Sequence, residues 1–172
     1  EILAQMAAQR ALFEQYLSLD NHLRRTLERA RSLRDRLSEL SKKTPSDDEK
    51  EAMRKGVEAL RAAMGDYGKG LAEAEAASPL FDVEKGFKEE IANQRRRLDR
   101  LTRDLDDMMG SAGASGLIDL SKLGGLVDEL SELFQQMTDN VGEPARLVAA
   151  VVRLLIQADE FTRLAQQQEQ IA

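Results

Sequence analysis

The chain has 172 residues, of which 42% are hydrophobic, 33% charged and 4% aromatic, and 31 acids against 25 bases give a formal charge of −6. So few aromatics, three prolines and a surplus of Ala, Leu, Arg, Glu and Gln favour helix over sheet, and the acidic balance gives no general attraction to nucleic acid or anionic lipid. With no cysteine, disulfides, thiolate catalysis and zinc–thiolate centres are excluded.

From Ile2 to about Lys43 there is neither Pro nor Gly, and apolar residues recur at intervals of four and three: Leu12, Tyr16, Leu19, Leu23, then Ala30, Leu33, Leu37 and Leu40. This heptad-type seam is broken at Thr26 and flanked by Leu27. At a rise of 1.5 Å per residue such a helix is about 60 Å long, so it must project from a small domain, pair along its length, or both. A stop and a new start follow at Thr44–Glu49. Either Pro45 opens the next helix under a Thr44 cap, or Ser46 and Glu49 form a capping box.

The second helix carries the same rhythm through Met53, Val57, Leu60, Met64, Tyr67, Leu71 and Ala74. Residues 1–77 therefore read as a long antiparallel coiled-coil hairpin. Gly65, Gly68 and Gly70 weaken the helix by roughly 1 kcal/mol each, and either a bend or a break is expected there. Ser78 and Pro79 shift the phase and start a third helix, from about Pro79 to Met109, on Leu80, Glu84, Phe87, Ile91, Gln94, Leu98, Leu101, Leu105 and Met108. The Gly/Ser/Ala run Gly110–Gly116 has the composition of a flexible loop and is the best domain boundary, with a linker over 111–116.

A fourth helix follows on Leu117, Leu120, Leu123, Val127, Leu130, Phe134, Met137 and Val141, and Gly142 is placed to end it. Pro144 then opens a fifth helix that is apolar on nearly every side from Leu147 to Ile156, with Arg153 alone intervening. Too short for the roughly 20 residues of a spanning helix, this stretch reads as a core helix with Val148, Val151, Val152, Leu155 and Ile156 packed by the third and fourth helices. Leu164 through Ala172 turn polar and Gln-rich, and this tract resembles the heptad tracts of large bacterial coiled-coil proteins. The fold class expected is thus all-α: a coiled-coil hairpin plus a helical bundle, about five helices, with 117–172 as a C-terminal pair.

Charge is unevenly spread. Residues 20–43 hold eight bases and four acids, whereas 111–172 hold four bases and nine acids, so these segments should attract each other. Arg95, Arg96, Arg97, Arg100 and Arg103 form the densest basic stretch, a candidate patch for an anionic partner, although interleaved acids favour a salt-bridged helix face. Asp104, Asp106 and Asp107 crowd the end of the third helix, where Arg100 and Arg103 are one turn away.

His22, the single histidine, lies beside the seam in basic surroundings, where it reads as a solvated flanking residue before a pH switch. The Glu-x-x-His pairs of di-iron bundles are absent, no phosphate-loop motif is present, and no nucleophile, base and orienter group together. Catalytic residues, cofactors and metals are therefore expected to be none. The function expected is a non-catalytic helical scaffold or protein–protein interaction module, a segment of a larger coiled-coil protein, pairing through helices with itself or another protein. A peripheral membrane-associated bundle and a helical regulatory domain of a larger enzyme are the alternatives; nucleic acid is not an expected partner.

Overall fold

The computed structural model describes residues 2–78, 83–115 and 119–171, with side chains described over 7–78, 84–111 and 119–168. Helix α1 spans Ile2–Leu40, α2 Asp47–Ala76, α3 Val83–Ser115, α4 Leu120–Met137 and α5 Glu143–Ile171, and there is no strand among the described residues. The expected all-α class is correct, but the helices make four rods where about five were expected. A five-residue π-helical segment, Thr138–Gly142, carries α4 into α5 with helical backbone angles at both joints.

The rods run up, down, up, down. Leu33 lies beside Gly56, and Leu19 beside Gly70; Arg61 on α2 meets Asp106 on α3, Arg100 on α3 meets Glu129 on α4, and Arg34 on α1 meets Asp128 on α4. Each contact joins the earlier part of one rod to the later part of the other, the signature of antiparallel neighbours. The exposed Arg34–Asp128 pair also joins the basic segment to the acidic one. The α1–α2 pair is enclosed rather than projecting, since α4 and α5 pack along α1 and α3 packs along α2.

The core follows the apolar rhythm closely. Leu12, Tyr16, Leu19, Leu23, Leu33, Leu37, Leu40, Met53, Val57, Leu60, Met64, Tyr67 and Leu71 are all buried. Thr26 does not break the seam. It is fully buried, and its hydroxyl reaches the His22 carbonyl at 2.7 Å and the Ala63 carbonyl at 3.2 Å. A threonine can enter a helix interface because its oxygen bonds backward to its own helix while its methyl packs.

Between α1 and α2, the second of the two expected caps is the one formed. Ser46 accepts from the Glu49 amide and Glu49 accepts from the Ser46 amide, and Lys43 clamps the Glu49 carboxylate. The three glycines do not interrupt α2. Met64, Tyr67 and Leu71 are buried on the same turns, and that burial outweighs a weak intrinsic propensity.

The expected linker is also helical as far as Ser115. Alanine is a strong helix former, and Ser111 returns its hydroxyl to the Asp107 carbonyl at 2.8 Å, so small residues here extend α3 instead of ending it. Pro79, Leu80, Gly116 and Leu117 lie outside the described residues.

Candidate interaction surface

The α4–α5 junction shows why Gly142 is a glycine. On α4 the buried row runs Leu123, Val127, Leu130, Phe134, Met137, Val141, and it resumes at Ala145, Val148 and Val152. After Val141 the next inward residue comes one position later than the four–three rhythm allows, and a π turn holds that extra residue. Pro144, which has no N–H to donate and crowds the carbonyl four residues back, directly follows this widened turn. A Cβ on Gly142 would stand 3.0 Å from Leu23 Cδ2 and 3.3 Å from Asp20 Oδ1. The glycine therefore serves close approach to α1, not helix termination.

Polar groups are buried around this junction. Asp20, 3% exposed, is held by Arg24 Nε at 2.9 Å and by Arg146 Nε at 3.4 Å, which ties α1 to α5. Tyr16 donates to Glu84 Oε2 at 2.9 Å and stacks at a tilt on Phe87 with centroids 5.4 Å apart. Burial, then the Glu84 carboxylate, pushes the Tyr16 phenol well above its ordinary value. Tyr67 is fully buried with no hydrogen-bond partner for its hydroxyl; burial, then the Asp20 charge, pushes its phenol up too. These groups are locked into the bundle, and among the described residues no three His, Asp or Glu side chains are grouped to hold a metal.

The arginine cluster on α3 is already engaged. Arg95 stands 2.8 Å from Glu75 of α2, Arg97 donates to Gln136 of α4 at 2.8 Å, and Arg100 pairs with Glu129 at 2.6 Å. Arg96 and Arg103 bond within their own helix, to Asn93 and the Ala92 carbonyl and to the Asp99 carbonyl. Arg95, Arg97 and Arg100 thus brace α3 against its neighbours, while Arg96 and Arg103 are bonded only within α3. Asp106 finds its cation on α2 rather than one turn away. Its hydrogen bond with Arg61 holds the Asp106 carboxyl below the usual carboxylate range. His22 borders an open groove of about 710 Å³ between α1 and α2, also lined by Ala8, Leu12 and Gly70.

Helix α5 departs most from expectation. Val148 and Val152 are buried and Ile156 is partly so, but they pack on α1, not on α3 and α4. Val151 is 54% exposed and Leu155 37% exposed, so both are removed from the expected core. The reason lies in the lengths of the rods. Pairing of Asn140 with Glu90, seven residues into α3, and of Arg10 with Glu160 means that, among the described residues, α1 runs further along α5 than α3 does.

Opposite the α1-facing side, Leu147 (68% exposed), Val151, Leu154 (65%) and Phe161 (76%) form one open row with Ala158, flanked by Leu164. The spacing is four, three, four, three, the seam of a pairing helix. Leu147, Leu154 and Phe161 were absent from the expected core set, yet their spacing was visible in the sequence. No described helix is long and apolar enough to cross a membrane. No family model, no curated protein and no solved structure matches this chain.

Proposed function

We propose that this chain is a non-catalytic helical scaffold module that works by pairing the open face of α5 with another helix. The observation that carries the reading is the heptad-spaced row Leu147, Val151, Leu154, Ala158, Phe161, left uncovered on a helix whose other side is packed only as far as Ile156. Monomeric soluble proteins rarely leave a contiguous apolar strip of this kind in water, and such strips mark interaction sites. The four-rod section below provides rigid support, so the face is presented with little freedom to lose on association.

A photo-crosslinking side chain placed at Leu154 in cells tests this, with the same group at exposed Glu132 as control. Adducts with polypeptide at Leu154 and none at Glu132 are expected. Adducts with lipid alone would favour a peripheral membrane role, the second reading, which the same exposed Leu and Phe side chains beside Arg146 and Arg153 support. No adduct of either kind would overturn both.

A further inference from the structure

We infer that the helix received by α5 is α5 of a second copy, paired antiparallel about a two-fold axis at the level of Ile156. The inference rests on the interaction reading above and names its partner. An antiparallel pair of helices sets each a position against a d position of the other. With the axis at residue 156, Val151 meets Phe161 of the second copy, Leu154 meets Ala158, and Leu147 meets Ala165. In every layer a larger side chain lies against a smaller one, so the two faces interdigitate.

The seam itself carries no charged residue, and Glu160 is held by Arg10 of its own α1 at 2.9 Å. The flanking residues nearest the seam, Ala150, Leu155, Gln157 and Leu164, are uncharged. Between residues 143 and 168 the acids Glu143, Asp159 and Glu160 balance Arg146, Arg153 and Arg163, so the face is neutral within a chain of charge −6. A parallel arrangement would instead set Phe161 against Phe161 and Ala158 against Ala158, large against large and small against small.

The area is sufficient. Large side chains this open, with the exposed alanines between them, contribute on the order of 600 Å² per copy, or about 1,200 Å² for the pair, which reaches the lower bound of stable specific interfaces. Each copy's α1 lies on the far side of its own α5 and does not obstruct the approach.

The chain contains no cysteine, so introduced thiols report the register cleanly. The protein is expected to sediment as a dimer at tens of micromolar, and the double variant Leu154→Glu/Phe161→Glu as a monomer whose thermal melt equals that of the parent diluted to its own monomer. A short bis-maleimide should join copies of Val151→Cys/Phe161→Cys but of neither single variant, because identical residues stand about 15 Å apart along the axis in this register. Crosslinking of the single variants would overturn the antiparallel arrangement. A monomer at every concentration would overturn the second copy as partner. If that monomer still forms polypeptide adducts through Leu154 in cells, the scaffold reading stands with a different helix as partner; if it binds vesicles rich in anionic lipid instead, the face is for membrane and both proposals fall.

Discussion

Two buried tyrosines on neighbouring helices make opposite contributions. Tyr16 donates to a carboxylate that is itself fully buried, Glu84, and a hydrogen bond to a charged group stabilises by roughly 1.5–3 kcal/mol. Tyr67 carries its hydroxyl into the core with no partner, so the desolvation of that group is uncompensated. Tyr16→Phe should therefore lower stability by about 2 kcal/mol, whereas Tyr67→Phe should leave it unchanged or raise it. Urea unfolding of the two variants checks this, and an equal loss in both would show that the hydroxyls are in equivalent surroundings. Both aromatics fall on the apolar rhythm, so their burial was legible in the sequence. Which hydroxyl meets a carboxylate was not, because Tyr16 and Glu84 are 68 positions apart and meet only when α1 and α3 lie in one bundle.

At the scale of a helix, glycines that look alike in the sequence do different things. A Cβ at Gly65 would meet nothing within 4 Å, while one at Gly142 would press on Leu23 and Asp20. Gly65→Ala should thus stabilise by roughly 1 kcal/mol, the intrinsic helical difference between these residues, which for a chain of this length is about 2–4 °C in melting temperature. Gly142→Ala should lower the melt, because the same propensity gain is opposed by a clash with buried α1. A calorimetric scan of both separates the effects; stabilisation by Gly142→Ala would mean that α1 and the π turn are free to move apart. The helices themselves, their order and most of the inward residues were readable from periodicity. The π turn was read as a stop, since glycine followed by Glu-Pro is ordinary punctuation and its close neighbour belongs to a distant segment.

For the whole molecule, the division of α5 into a packed side and an open side is the decisive feature. Val152 is fully buried against α1 and Val151, its neighbour, is 54% exposed. Val152→Asp would place an unpaired charge in the core and should cost more than about 3 kcal/mol, broadening or abolishing the cooperative melt. Val151→Asp should leave the melt of the individual molecule within a few degrees of the parent while weakening association through α5. Circular dichroism melts at low and high protein concentration test the pair, and similar losses in both variants at low concentration would mean that α5 is covered on both sides.

The sequence alone determined the helical class and most of the inward rows of α1, α2 and α3. Each depends on spacing or composition within one stretch of chain. Tertiary structure decided that Val151 and Leu155 face outward, that the α3 arginines are spent on Glu75, Gln136 and Glu129, and that α4 flows into α5. An all-apolar stretch states that burial is favourable but not which neighbours are long enough to supply it. Here α1 reaches further along α5 than the described part of α3 does, so the length of the adjoining rods, a property of the assembled bundle, helps decide which side of α5 is covered.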